Sequence, residues 1–348
     1  MRTEELEKIA QRRKLDLVLV AGQANIRALT GINCDNAILQ TFQTSQTFQT
    51  CIYTDFRYVP MVHRVAPKLK CLDIKRFGAS CRGAGTSRPR RIGYESTISH
   101  ARFLEWQKKF PKVEFVDISK DLAAIRAVKT PDEIAALRAA EKLNCEIWET
   151  ARGKFKAGMS ERQMARIIQK LMIEKGEGEA FATIVCVGKN AAECHHEPDD
   201  TAWNGREPVL VDMGVKLNGV CSDLTRNLIP HPSSLYRKVY SLVLKANLAA
   251  IAAAKPGMTG RALDKIARDV IKKGGFGKCF GHSLGHGVGY EIHEAPYASK
   301  KGDMVLKPGM LVTIEPGIYL EDNLGVRIED LVLITETGCE VLSEIASK

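Results

Sequence analysis

Lys156–Lys175 reads KAGMSERQMARIIQKLMIEK, and Lys255–Gly274 reads KPGMTGRALDKIARDVIKKG. The two stretches lie 99 residues apart and share Lys-x-Gly-Met-(Ser/Thr)-x-Arg, followed by apolar residues at helical spacing. A hydroxyl just before such a run accepts a hydrogen bond from the free N–H groups of a helix's first turn, so Ser160 and Thr259 read as N-caps. A match of this length within one chain points to a duplicated unit. Residues from about 130 onward therefore read as one domain built from two related halves.

Each repeated helix is followed by an acidic, β-rich segment. In the first half it is Pro208–Ile229 (PVLVDMGVKLNGVCSDLTRNLI), in the second Gly309–Ile334 (GMLVTIEPGIYLEDNLGVRIEDLVLI). Both read as hairpins with one acidic residue inside each apolar strand: Asp212 and Asp223, then Glu315 and Glu329. A lone carboxylate among Val, Leu and Ile is costly unless something neutralises it. If the halves pack about a pseudo-twofold axis, the four carboxylates meet, and that much buried negative charge calls for cations. Carboxylates with a histidine suit a pair of divalent metal ions. Such a pair, about 3.5–4 Å apart, activates water and polarises a scissile carbonyl without a covalent intermediate.

Residues 281–296, GHSLGHGVGYEIHEAP, supply histidines His282, His286 and His293 among Gly281, Gly285, Gly287 and Gly289. An isolated histidine is usually structural, but this clustering favours function for His286 and His293, while His282 stays open between the two readings. Glycines there let backbone approach a ligand closely. Cys194-His195-His196 form another cluster, too short of ligands in sequence reach for a zinc site. A neutral histidine exchanging a proton near the metals suits that position better.

The first third alternates strand and helix patterns. Leu15–Val20, Thr50–Thr54 and Val113–Val116 read as strands and Ala101–Phe110 as a helix, giving a small α/β domain. QTFQT occurs twice across 40–50, separated by Ser45, which suits a hairpin with its turn at that serine. A boundary falls near 118–130. Thr130-Pro131-Asp132-Glu133 is a capping box, and a helix through about Arg152 should follow.

The chain of 348 residues carries 51 Lys+Arg against 41 Asp+Glu, a net charge of +10. Residues 1–120 hold 21 basic and 11 acidic residues, and residues 121–348 hold 30 of each. The densest basic piece, Arg82–Arg91 (RGAGTSRPRR), reads as a solvated loop; with few aromatics between its charges it argues against nucleic-acid binding. No run approaches the roughly 18 apolar residues of a membrane span, and the N-terminus has no signal-like apolar core. The ten cysteines include no CxxC pair, which reads as reduced thiols and a cytoplasmic location.

Taken together, these residues resemble metallopeptidase family M24. The resemblance rests on Asp212 and Asp223 in VDMGVKLNGVCSDLTRN, His286 in GHGVG, His293 in EIHEAP, Glu315 in TIEPGIY and Glu329 in GVRIED. The Xaa-Pro branch, prolidase and aminopeptidase P, matches over the whole chain, including TDFRY at Thr54–Tyr58. The resemblance implies an α+β protein. Residues 1–120 would form a creatinase-like α/β domain, 121–130 a linker, and 131–348 a pita-bread catalytic domain with internal pseudo-twofold symmetry.

By the same resemblance, Asp212 chelates one metal and His286 with Glu315 the other, while Asp223 and Glu329 bridge both. His195 and His293 are the substrate-side histidines, and His293 stabilises the oxyanion. Arg327 lies near the substrate and behind the ligands, and Thr225 partners the metal-bound solvent. Glu315 doubles as acid/base beside a hydroxide held between the ions. The implied cofactors are two divalent ions, Mn²⁺ first, with Co²⁺, Zn²⁺ and Fe²⁺ as alternatives. The implied partners are a small peptide with proline at its second position and a second copy in a homodimer. Cys194 stands where the family usually has proline, and Asn227 where it has threonine. Three other readings compete. Methionine aminopeptidase fits the long N-terminal region and VRIED poorly. A metal-free creatinase-like hydrolase would not need all five ligands. A non-catalytic binding protein would not need them either.

Overall fold

The apolar run Leu17–Val20 is buried along its whole length, so it needs cover on both faces of the sheet it joins. In this computed structural model, which describes residues 1–44, 47–78 and 89–348, it has that cover. Two compact units divide between Arg126 and Ala127.

The first unit runs α1 (Glu4–Arg13), β1 (Leu17–Val20), α2 (Gln23–Thr30), β2 (Ala37–Gln43), β3 (Phe48–Thr54), α3 (Val59–Val65), β4 (Lys70–Asp73), β5 (Arg91–Tyr94), α4 (His100–Lys109), β6 (Glu114–Asp117) and α5 (Ser119–Ala127). Its sheet has the order β4-β3-β2-β1-β5-β6. β1, β5 and β6 are parallel, and β1, β2 and β3 antiparallel. Val18 and Val20 pack with Leu6, Ile26 and Leu29 on one face, and Leu17 and Leu19 with Ile92 and Trp106 on the other. That is the period-2 alternation of a central strand.

The QTFQT repeat forms the hairpin β2–β3, with Gln43 opposite Phe48; its expected turn at Ser45 lies outside the described residues. Most of Arg82–Arg91 also lies outside them. At its end, the backbone N–H groups of Arg90 and Arg91 donate to Asp16, and the Arg91 side chain pairs with Glu114. The linker expected over 121–130 is instead helical through Ala127. The reason is local: Leu122 is buried in the first core and Asp121 pairs with Arg12 and Arg13.

The second unit runs α6 (Pro131–Arg152), α7 (Glu161–Lys175), β7 (Ile184–Val187), β8 (Val209–Met213), β9 (Lys216–Leu217), β10 (Val220–Cys221), β11 (Leu224–Leu228), α8 (Ser234–Ala253), α9 (Gly260–Lys273), β12 (Gly285–Gly287), β13 (Glu294–Ala298), β14 (Leu311–Ile314), β15 (Gly317–Leu320), β16 (Leu324–Arg327), β17 (Asp330–Ile334) and β18 (Cys339–Val341). Thr130 caps α6 in a full capping box with Glu133. Ser160 and Thr259 cap α7 and α9, as the repeat implies. Each of these two caps also bridges to a later strand-like residue, Ser160 to Ala202 and Thr259 to Val305. Each half carries one acidic hairpin in a three-stranded sheet, β8–β11 in β11-β8-β7 and β14–β17 in β14-β17-β18, so helices and antiparallel strands combine in an α+β unit.

Candidate active site and metal centre

Three of the four acidic residues stand just beyond the end of a strand. Asp212 lies within β8, opposite Thr225 of β11. Asp223 immediately precedes β11, Glu329 immediately precedes β17, and Glu315 immediately follows β14. The sequence places each inside an apolar strand, but only Asp212 is. His286 lies in β12, and its backbone N–H donates to Thr313 Oγ1 (3.0 Å). Gly285 is required there, because a Cβ would strike the Thr313 carbonyl.

Carboxylate oxygens of Asp212, Asp223 and Glu329 lie within 4.8 Å of one another. His286 Nε2 is 3.3 Å from Glu315 Oε1 and 3.6 Å from Asp223 Oδ2. The structure thus gathers all five expected ligands. They border a cavity of about 410 Å³ that also meets His195, His293, His282, Cys194 and Arg327, with Phe181, Ile184 and Ile292 as its apolar wall. His293 packs edge-on against His286, ring centroids 4.3 Å apart.

The crowding shows in the acidities. Burial, then the neighbouring carboxylates, push Asp223 and Glu329 well above the usual carboxylate range. Burial raises Asp212 too, against the pull of Arg327. For Glu315 burial acts upward, but the His286 hydrogen bond and charge outweigh it and hold the carboxyl low.

A hydrogen-bonded layer holds these groups from behind. Arg327 Nη2 donates to Asp212 Oδ2 (2.6 Å), Nε to Thr225 Oγ1 (3.0 Å) and Nη1 to the Tyr319 hydroxyl (2.9 Å). Thr225 Oγ1 donates to Glu329 Oε2 (2.7 Å). Thr313 Oγ1 donates to Glu315 Oε1 (3.0 Å). His282 Nδ1 faces the Ser283 carbonyl (2.7 Å) and must donate there, which leaves Nε2 to accept from Tyr319 (2.9 Å). Fully buried Glu141 accepts from the Asp223 backbone N–H (3.1 Å) and from Ser343 Oγ (2.9 Å).

Sequence reasoning missed Tyr319, Thr313, Glu141 and the apolar wall. Tyr319 had a weak signal, since strand alternation in β15 sets it opposite in sense to buried Ile318. The others had none, being brought in from distant segments. Cys194, His195 and His196 do not act together: His196 turns to Glu161 (2.7 Å) and Glu193 (3.0 Å), whereas Cys194 and His195 line the cavity.

Residues 135–336 match the model of metallopeptidase family M24, and residues 2–128 match the creatinase/prolidase N-terminal domain. The chain belongs to metallopeptidase family M24. It is 40% identical over 255 residues to an Xaa-Pro dipeptidase of Pyrococcus furiosus, covering 73% of each chain. Among solved structures, an Xaa-Pro dipeptidase from Bacillus anthracis superposes with a TM-score of 0.92 at 29% identity, over 99% of this chain and 97% of that one. A prolidase from Pyrococcus furiosus gives 0.88 at 34% identity, over 97% and 98%. The protein is an M24 metallopeptidase, and the family implies divalent metal ions.

The residues of this M24 enzyme fit such ions. Asp212 Oδ1 is buried and has no hydrogen-bond partner among the described residues. His286 Nδ1 faces the Gly287 carbonyl (3.2 Å), so in the neutral ring the Nε2 lone pair is left for the carboxylate cluster. Three mutually close carboxylates that favour protons in the absence of cations form a hard, oxygen-rich donor set.

Proposed function

We propose that this enzyme hydrolyses the Xaa-Pro bond of dipeptides or short peptides as a prolidase-type exopeptidase with two divalent ions. The observation that carries the reading is the meeting of Asp212, Asp223, His286, Glu315 and Glu329 beside a cavity walled by His195 and His293. Asp212 would hold one ion, His286 and Glu315 the other, and Asp223 and Glu329 both. When bound, the ions polarise the carbonyl and lower the pKa of water. Oxygen-rich ligation with one imidazole suits Mn²⁺ best, with Co²⁺, Zn²⁺ and Fe²⁺ as competitors.

The chain's own groups carry the remaining roles. Glu315, steadied by the Thr313 hydroxyl, accepts the proton of the attacking water and returns it to the prolyl nitrogen. His293 and His195 donate N–H groups to the carbonyl oxygen as negative charge grows on it. Arg327 orients Asp212 and opposes the upward pull of burial on its carboxyl. Phe181, Ile184 and Ile292 offer an apolar face to the pyrrolidine ring. A cavity of about 410 Å³ suits a short peptide. An Xaa-Pro amide has no N–H and a ring-restricted backbone, so a dedicated site makes physical sense.

We further read the enzyme as a cytoplasmic homodimer, in keeping with the nine free cysteines among the described residues and with the family resemblance. A monomeric mass by light scattering would overturn the dimer. The main test strips the protein with chelator and reloads it with Mn²⁺, Co²⁺ or Zn²⁺. It is then offered an Xaa-Pro dipeptide, an Xaa-Pro tripeptide and a Met-Ala peptide. Metal-dependent cleavage of a proline substrate is expected, and its absence would sink the proposal. The ratio of dipeptide to tripeptide cleavage separates prolidase from aminopeptidase P. Asp223→Asn should abolish turnover while the protein stays folded by circular dichroism.

A further inference from the structure

His293 ends the loop 288–293 that connects β12 to β13, and Glu294 is the first residue of β13. Glu294 is buried while His293 stays exposed at the cavity. The Glu294 side chain is 5% exposed, and it pairs with Lys129, 3% exposed. So dry a pair is a poor device for stability alone, because replacing both charges by apolar groups of similar size is often neutral or stabilising. A pair of this kind earns an explanation in what it holds in place.

What it holds is the histidine loop. A Cβ at Gly289 would meet both the Glu294 carboxylate and the Lys129 ammonium, so the charged heads press on the loop near its start as well as its end. Gly289 N–H donates to the Glu291 carbonyl (3.1 Å), and the Gly289 carbonyl accepts from the N–H of Cys221 (2.8 Å), two residues before Asp223. Lys129 is itself fixed, since its backbone N–H donates to the Gly309 carbonyl (2.9 Å) and Thr130 begins the α6 capping box. The other cavity histidine repeats the arrangement. His195 is exposed, and the next residue, buried His196, pairs with fully buried Glu161 at 2.7 Å.

We propose that Lys129–Glu294 is a positioning pair for His293, fixing the loop so that the imidazole meets the scissile carbonyl. This rests on the role given to His293 above. Removing one partner would strand a buried charge and can unfold the protein, so the test uses Lys129→Met/Glu294→Met, alone and combined with His293→Ala. The metal-loaded variants are assayed on an Xaa-Pro dipeptide. The pair replacement should keep metal content and thermal midpoint. Its kcat should fall about 10- to 100-fold, the scale of a roughly 1 Å misplacement, with KM within about twofold. In the His293→Ala background it should cost nothing further, because two changes acting through one group are not additive. Wild-type kcat in the pair variant, or a loss that multiplies with that of His293→Ala, would overturn the proposal. Hydrogen exchange gives a readout independent of activity: the Gly289 amide should exchange faster in the pair variant. If the wild-type enzyme cleaves no proline substrate, the functional reading fails. Unchanged Gly289 exchange would separately refute the pair's hold on the loop.

Discussion

Arg327 shows how much one side chain carries in this site. Its guanidinium reaches Asp212, Thr225 and Tyr319 at once, and the Thr225 hydroxyl passes the contact on to Glu329. A lysine offers one compact ammonium and cannot serve three partners lying in different directions. Arg327→Lys should therefore lower metal affinity or kcat/KM about 10- to 100-fold, the usual cost of losing a partner behind a metal ligand. Metal titration and steady-state kinetics measure it, and a near-wild-type Arg327→Lys enzyme would refute the role. Arg327 was indicated by the family resemblance, which sets an arginine two residues before Glu329. Tyr319 was not read, although it joins Arg327 to His282, because an alternating strand does not say which face meets a cavity.

Elements are held by signals of differing reach. The capping box of α6 is written in four consecutive residues and forms as read: Thr130 Oγ1 accepts from the Glu133 N–H (3.2 Å) and Glu133 returns the bond to the Thr130 N–H (2.7 Å). Thr130→Ala should cost about 1 kcal/mol, and Thr130→Ser much less; chemical denaturation compares them. The start of α7 adds a long-range contact that no local motif announces. Glu161, one residue past the Ser160 cap, accepts from Val187 N–H, Asn190, His196 and Asp199 N–H. Burial acts to lower the His196 pKa, but the Glu193 and Glu161 hydrogen bonds, with Asp199 nearby, outweigh it and raise it above 6.5. A raised folded value means this stabilisation is full below 6.5 and fades as pH climbs through the folded value. The gap in thermal midpoint between wild type and His196→Gln should accordingly be wider at about pH 6 than at about pH 9. A gap that does not change with pH would count against the ion pair.

At the scale of the whole molecule, the centre is a knot of crowded carboxylates that bound cations would relieve. Adding Mn²⁺ to chelated protein should raise the thermal midpoint, with about 2.7 kcal/mol of stabilisation once free metal reaches about 100 times Kd. Asp223→Asn should raise the metal-free midpoint, since it removes one of the crowded carboxylates, and should blunt the rise on adding Mn²⁺. Differential scanning fluorimetry reads both, and a metal-free variant less stable than wild type would contradict the crowding. No helix among the described residues is long and apolar enough to cross a membrane. The net charge of +10 belongs to residues 1–120, where the described part of the basic stretch is engaged within its own unit, with Asp16 and Glu114. The sequence by itself determined the caps of α6, α7 and α9, and it marked the internal repeat and the four acidic residues Asp212, Asp223, Glu315 and Glu329. Those signals are local or periodic: a repeat, a capping hydroxyl, a carboxylate beside an apolar run. Only the tertiary structure decided that Asp223, Glu315 and Glu329 sit at strand mouths, that Thr225 serves Glu329, and that Glu141, Tyr319 and the Lys129–Glu294 pair stand behind the site. Lys129 and Glu294 are 165 residues apart, and a contact over that distance leaves no trace in the local pattern of either segment.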